Sequence, residues 1–275
     1  MPTQPLAIDG LKIVPEPAEP ETTAWIAEAS GAALPFIQEQ WGLPTPEDCQ
    51  LYVMTSWWGF IFRSAPWPWR IGLAATLPIW AGRARRTWPY SAAWTQRYGR
   101  RVAIGVKPPR LLDSSDRSLS LHVFEAEPEA RLRIRHLVCH ELTHACSAHL
   151  SLPMWLNEGL AAVTVDRFLG KRTIRADSLA LVKAFQPKGP PPTYAQLARL
   201  PGSAIAYHAV RGYWVVHYLE ALRPGLLKRL LAVPRSSEAL DASVAGALGL
   251  EPKQLWHRLD DLVTDHFQKA LAQSS

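Results

Sequence analysis

The chain has 275 residues, of which 48% are hydrophobic and 20% are charged, and it carries a formal net charge of +6. This apolar fraction is enough for a buried core, so the composition excludes a disordered protein and predicts one large domain or a domain with an appended half. The cysteines, Cys49, Cys139 and Cys146, are too few and odd in number for a disulfide framework. Their number favours a reducing compartment.

Residues 1–50 form an acidic, proline-containing lead segment with eight acidic residues and one lysine. The segment begins with neither a basic nor an apolar stretch of the kind that directs secretion, so we expect a cytoplasmic protein. Residues 15–21 are expected to be extended and solvated. A helix is predicted over about 22–40, because apolar residues recur there at helical spacing.

Residues 51–100 form a second segment that is basic and rich in tryptophan. Counted to residue 112, it holds ten basic residues, no Asp or Glu, and seven of the twelve tryptophans. Such a composition is typical of a surface that contacts anionic lipid or nucleic acid. Alternatively, the acidic lead segment packs against it and the tryptophans fill the core, which the moderate net charge favours. No specific nucleic-acid partner is predicted.

The most apolar run of the chain, residues 71–80, lies within this basic segment. A helix needs ~20 apolar residues to cross a bilayer, so this run is too short, and Pro78 interrupts it. We predict no transmembrane span and a soluble chain. Contact with an anionic surface through residues 51–112 stays open.

The pattern changes to that of strands from about residue 98. Residues 101–106 are rich in β-branched residues and end at a proline pair. Residues 118–124 alternate apolar and polar side chains, which predicts a half-exposed strand. A third segment, residues 101–275, is expected to be the main domain, with a helical subdomain from about residue 204.

A helix predicted over about 128–149 carries His140, Glu141 and His144, an H-E-x-x-H arrangement. Residues four apart share a helix face, so both imidazoles can bind one metal ion while Glu141 reaches a water on that metal. Glu158, fourteen residues after His144 and early in a second predicted helix, is far enough along the chain to return as a third ligand. Two imidazoles, a carboxylate and an open water position suit Zn²⁺.

Other residues near the motif are weaker candidates. A metzincin needs a third histidine where this chain has Leu150, and His149 misses that register by one residue. His149 is therefore interpreted as a residue of the polar face, or as one that supports a ligand, and not as a ligand itself. Cys139 and Cys146 flank the motif but are interpreted as small buried residues.

The sequence HELTH at 140–144, followed by WLNEGLA at 155–161, resembles the gluzincin metallopeptidases, and most of all their peptidase-MA-like branch. The resemblance covers roughly residues 101–267. It implies an α+β, zincin-like fold with a small mixed sheet, an active-site helix and a mostly helical C-terminal half. A sheet-edge strand at 118–124 would then contact the backbone of a peptide or protein substrate through residues 119–123.

The same resemblance implies a zinc-dependent metallopeptidase in which a zinc-bound water, activated by Glu141, hydrolyses peptide bonds. His140, His144 and Glu158 match the zinc ligands and Glu141 the general base. Gluzincins also place an oxyanion donor on a later helix, here predicted over 206–219. Tyr207 is the first candidate for this role and Tyr213 the second, and for Tyr213 core packing is the alternative.

The resemblance leaves parts of the site open. An Asp that orients a zinc-bound histidine in thermolysin-like enzymes is replaced by Ala162, and Asp166 lies one turn further along. Two other functions also remain: a non-catalytic binding module with structural zinc that contacts an anionic surface, and a metal-dependent hydrolase of non-peptide bonds. The intact Glu141 argues against the first, because a structural zinc site needs no base.

Overall fold

The fold contains a small mixed β-sheet of five strands. A computed structural model describes residues 6–8, 10–112, 123–185, 188–197, 199–200 and 202–273. The strands are β1 (Leu6–Ile8), β2 (Leu11–Val14), β3 (Asp48–Val53), β4 (Ala93–Tyr98) and β5 (Arg101–Val106). Their order is β1-β2-β3-β5-β4, in which β2, β3 and β5 are parallel and the outer strands β1 and β4 run antiparallel to their neighbours.

Helices account for most of the described residues. They are α1 (Pro20–Trp41), α2 (Trp57–Ser64), α3 (Trp67–Ala75), α4 (Leu77–Thr87), α5 (Pro109–Leu112), α6 (Ala130–Ser147), α7 (Met154–Leu169), α8 (Leu179–Ala184), α9 (Tyr194–Leu197), α10 (Gly202–Leu222), α11 (Leu226–Leu231), α12 (Ser237–Ala247) and α13 (Leu255–Gln273). The predicted α+β class, with a small mixed sheet and a mostly helical C-terminal half, is thereby confirmed. In the described ranges, no helix has both the length and the apolar character needed to cross a membrane.

The described residues fall into two compact units. The first contains those up to residue 39, residues 44–112 and residues 126–146; it holds the sheet, most of α1 and helices α2 to α6. The second contains residues 40–43, 123–125 and those from 147 onward, and it holds helices α7 to α13.

In the first unit, the two faces of the sheet carry different helices. Side chains alternate along β4, so Trp94 and Tyr98 share one face while Thr95 points to the other. Trp94 and Tyr98 belong to an aromatic cluster with residues of α2 and α4, including Phe60 and Trp80. Thr95 instead meets α6 through a hydrogen bond to Glu141. The edge strand β4 therefore packs between the tryptophan-rich helices and the helix that carries the H-E-x-x-H residues.

The acidic lead segment belongs partly to the sheet. The predicted helix is present as α1, but β1 and β2 were not predicted, and Leu11 and Ile13 of β2 are fully buried. Residues 15–21 are not extended: they form a turn and the first residues of α1. Acidic residues of the lead segment pair with basic ones beyond residue 50 at 2.6–2.7 Å. These pairs are Glu16–Arg63, Glu19–Arg110 and Asp48–Arg101.

In the second unit, α7 and α10 cross at two glycines. A Cβ atom on Gly159 would lie 2.2 Å from the carbonyl oxygen of Gly212, and a Cβ on Gly212 would lie 2.3 Å from that of Trp155. No side chain fits at either position, so the two helix backbones are in direct contact. This crossing fixes the turn of α7 on which Glu158 lies.

Two predicted strands had different outcomes. The strand at residues 101–106 is present as β5. Residues 118–122 of the second lie outside the described residues, and so do 119–122 of the predicted substrate contacts. Val123 lies in a turn, and Phe124 forms an isolated antiparallel bridge with Ile174.

Candidate metal centre

Helix α6 directs two histidines toward one point. Its buried face is formed by Ile134, Val138 and Leu142, which recur every four residues and hold the helix in place. His140 and His144 are half-buried, and their Nε2 atoms lie 3.0 Å apart. The i, i+4 spacing therefore brings the two imidazole nitrogens together, as predicted from the sequence.

Glu158 joins the two histidines. The chain turns at Ser151, which has the left-handed values φ 50 and ψ 47, and α7 begins after Pro153. The ligand atoms that His140, His144 and Glu158 can offer all lie within 4.8 Å of one another. In the described part of the chain this is the one such group of three His, Cys, Asp or Glu residues, and it could hold a metal ion.

Glu141 is buried and held by a hydroxyl group. It is 8% exposed, and the Oγ1 of Thr95 donates a hydrogen bond of 2.5 Å to its Oε2. Thr95 lies on the edge strand β4, 46 residues before Glu141. This contact could not be predicted from the sequence, because it depends on how the sheet packs against α6.

Glu158 is oriented by a tyrosine that the sequence analysis did not single out. The hydroxyl of Tyr194, on the short helix α9, donates to Glu158 Oε1 at 2.6 Å and accepts from Asn157 Nδ2 at 2.7 Å. Asn157 is in turn held by Ser147, whose Oγ donates to its Oδ1 at 3.2 Å. A hydrogen-bonded chain of three side chains, those of Tyr194, Asn157 and Ser147, thus holds Glu158.

The two tyrosines predicted as oxyanion donors have other partners. Tyr207 and Tyr213 are 2% and 0% exposed, and their hydroxyls donate to Asp260 and Asp166 at 2.8 and 2.7 Å. Burial raises the pKa of both phenols. These contacts favour core packing for Tyr213, the alternative named above, and they favour the same role for Tyr207.

Asp166, which was considered above for orienting a zinc-bound histidine, is held by other partners. Its Oδ1 accepts hydrogen bonds from the backbone N–H and the hydroxyl of Thr173, at 2.7 and 2.6 Å. Its Oδ2 accepts the bond from Tyr213. Asp166 therefore ties the end of α7 to the following loop and to α10.

The remaining candidates near the motif behave as predicted. Cys139 and Cys146 are free and fully buried, and burial raises the pKa of the Cys146 thiol to about 12. Such thiols are protonated and inert at neutral pH. His149 is exposed and does not belong to the ligand group.

Comparison of the chain with models of protein families, with curated proteins and with solved structures finds no match. The chain's own residues and their geometry are therefore the evidence for its function.

Proposed function

We propose that this chain is a zinc-dependent metallopeptidase of the gluzincin type, with a zincin-like fold of the peptidase-MA-like branch. The observation that carries the proposal is the convergence of His140, His144 and Glu158, with Glu141 on the same helix as the two histidines. A general base beside a three-residue ligand group is the arrangement of a catalytic zinc site, which keeps one position for water.

The donor set fits zinc. Ligand atoms of a tetrahedral zinc site lie about 3.3 Å apart, since each is about 2 Å from the ion. The two histidine nitrogens, at 3.0 Å, are already close to this separation. The upper limit of 4.8 Å for the whole group requires only a small adjustment of side chains. A zinc ion bound here would supply Lewis acidity, which lowers the pKa of a water molecule to about 7.

The protein's own residues perform the proton transfers. Glu141 accepts a proton from the water that attacks the scissile carbonyl, and it then donates this proton to the leaving amine. Thr95 holds the carboxylate of Glu141 in one orientation throughout. Tyr194 keeps Glu158 in place, because its single O–H donates to the carboxylate of that residue.

A peptide is the substrate class that the surroundings favour. Strand β4 is at the edge of the described sheet, and Thr95 on this strand contacts the general base. An extended peptide can add to such an edge through backbone hydrogen bonds. This observation supports a peptidase over a hydrolase of non-peptide bonds.

The test is zinc content together with cleavage of a mixed peptide library, with and without a chelator. We expect one zinc per chain and cleavage that the chelator abolishes. Glu141→Gln should keep the zinc and lose hydrolysis, whereas His144→Ala should lose the metal. Retained turnover in the Glu141 variant would exclude the proposed base. Bound zinc without cleavage in the wild type would favour the non-catalytic binding module.

A further inference from the structure

Helices α3 and α4 form an exposed apolar surface. They are consecutive, joined only by Thr76, and neither contains a buried residue. Several of their large apolar side chains are exposed to solvent. These are Ile79 at 83% exposure, Trp67 at 70%, Ile71 at 58% and Trp69 at 49%.

The helix pair is anchored on its other side. Leu73, Trp80 and Ala84 pack against the aromatic cluster of the first unit. The indole N–H of Trp80 donates to the carbonyl of Leu73 at 3.0 Å, which ties α4 to α3. Trp69, one turn before Leu73, also contacts the ring of Tyr98 at a centroid distance of 5.8 Å. The pair thus has an inner side fixed to the fold, and Ile79, Trp67 and Ile71 are the most exposed of its large apolar side chains. Large apolar side chains that are exposed together on one helix pair indicate an interaction site.

The same helices carry uncompensated positive charge. Arg70, Arg83, Arg85 and Arg86 are exposed, and none forms a salt bridge with any acidic residue in the described ranges. By contrast, Arg63, Arg101 and Arg110 of the same basic segment are paired with acids of the lead segment. Both α3 and α4 therefore carry positive charge without an acidic partner in the described ranges.

We propose that the α3–α4 helix pair, residues 67–87, lies on the surface of an anionic lipid bilayer. Tryptophans favour the headgroup level of a bilayer, and aliphatic side chains such as Ile71 and Ile79 enter the acyl boundary below it. Arginines among them attract anionic headgroups, each strengthening binding by about fivefold. A bilayer can contact the tryptophans, the isoleucines and the arginines at the same time. Nucleic acid would use the arginines and tryptophans but leave the isoleucines in water.

The test is co-sedimentation of the full chain with vesicles of phosphatidylcholine, with and without phosphatidylserine. We expect binding to the phosphatidylserine vesicles that weakens as salt is added, and little binding to the neutral ones. Vesicles with brominated acyl chains should quench the tryptophan fluorescence. Because only binding is measured, Glu141→Gln should behave as wild type, so this proposal can fail independently of the peptidase proposal.

Two variants and a matched control make the test specific. Replacing Arg83, Arg85 and Arg86 by Gln should weaken vesicle binding about 100-fold. Ile79→Ser should weaken binding and leave its salt dependence unchanged. The control replaces three exposed arginines of the second unit, Arg223, Arg229 and Arg235, by Gln, which removes the same charge elsewhere.

The proposal is overturned if wild type fails to bind phosphatidylserine vesicles at low salt. It is also overturned if the Arg83, Arg85 and Arg86 variant binds as well as the control. Binding to a short duplex DNA or RNA without binding to vesicles would assign the surface to nucleic acid instead.

Discussion

At the scale of single residues, both carboxylates of the candidate centre are held by a hydroxyl group from another element. Thr95 Oγ1 on β4 donates to Glu141, and Tyr194 Oη on α9 donates to Glu158. Hydrogen bonds to ionised groups contribute about 1.5–3 kcal/mol, more than those between neutral groups. The two hydroxyls therefore fix the orientation of a base and of a ligand that are free to rotate in isolation.

Removing the Tyr194 hydroxyl should weaken metal binding. Tyr194→Phe takes away the bond that orients Glu158, and loss of such a contact lowers metal affinity by about 10–100-fold. Zinc affinity measured by competition with a chelating dye checks this value. Tyr207→Phe is the matched control, because it removes the same atom from a tyrosine bonded to Asp260. We expect this control to lower stability by about 1–3 kcal/mol without changing zinc affinity.

A different result for Tyr207→Phe would support the role of oxyanion donor that was first predicted for Tyr207. If this variant binds zinc normally and is stable but loses turnover, the Tyr207 hydroxyl acts on the substrate. If Tyr194→Phe keeps full zinc affinity, then the bond to Glu158 does not support the ligand.

The histidines and Glu158 could be predicted from the sequence, but Thr95 and Tyr194 could not. The i, i+4 spacing in α6 is a local property of any helix, so it predicts convergence before the fold is known. Thr95 is 46 residues from Glu141, and Tyr194 is 36 residues from Glu158. Both contacts depend on tertiary packing, which leaves no periodic signal in the sequence.

At the scale of elements, the position of Glu158 depends on how closely α7 and α10 approach. Gly159 and Gly212 let the two backbones touch, because neither position has room for a Cβ atom. The carbonyl oxygens that face the two glycines belong to the helices themselves and cannot rotate away. Even the methyl group of an alanine at either position would therefore push the two helices apart.

Gly159→Ala should destabilise the protein. Alanine favours a helix over glycine by about 1 kcal/mol, but a contact of 2.2 Å with a backbone oxygen forces α7 away from α10. Overpacking of this kind costs about 1–3 kcal/mol or more, so the clash should exceed the gain. Urea denaturation measures the difference. The control is Gly82→Ala in α4, where nothing lies within 4 Å and stability should be unchanged or higher.

If Gly159→Ala is as stable as Gly82→Ala, the close crossing does not hold α7. Zinc affinity of Gly159→Ala gives a second check, because a shift of α7 should also move Glu158 away from the histidines.

The helices were predicted better than the sheet. Helices α1, α6, α7 and α10 show long apolar periodicity, and Gly170 ends α7 in the left-handed conformation that favours glycine. The five strands are only three to six residues long, and of these β5 alone was predicted. In the basic segment, the alternation along β4 spans only six residues and was not singled out.

At the scale of the whole molecule, charge is arranged differently in the two units. The first unit pairs acids of the lead segment with part of the basic segment at exposed or half-buried positions. The second contains a fully buried pair, in which Arg211 Nε donates to Asp260 Oδ1 at 2.8 Å. Tyr207 donates to the same carboxylate, and this group joins α10 to α13. Another positive charge beside this pair should be unfavourable.

His208, next to this buried group, should make stability depend on pH. It is 8% exposed; burial, together with the positive charge of Arg211, lowers its pKa from 6.5 to about 4. At pH values between these two, the unfolded chain binds a proton that the folded chain does not, so stability falls as the pH falls. The contribution of His208 is fully present above pH 6.5 and is lost as the pH drops toward 4.

Replacing His208 should therefore weaken the dependence of the free energy of unfolding on pH below pH 7. Between pH 7 and pH 5, a shift of this size removes about 2 kcal/mol from the free energy of unfolding. His208→Gln cannot ionise in this range. On going from pH 7 to pH 5, its free energy of unfolding should therefore fall by about 2 kcal/mol less than that of wild type. Urea denaturation at both pH values gives the comparison. His257→Gln, at an exposed position on α13, should keep the wild-type dependence. Equal pH dependence in wild type and His208→Gln would mean that the folded protein accommodates the protonated imidazole, and that the buried group between α10 and α13 tolerates a further positive charge.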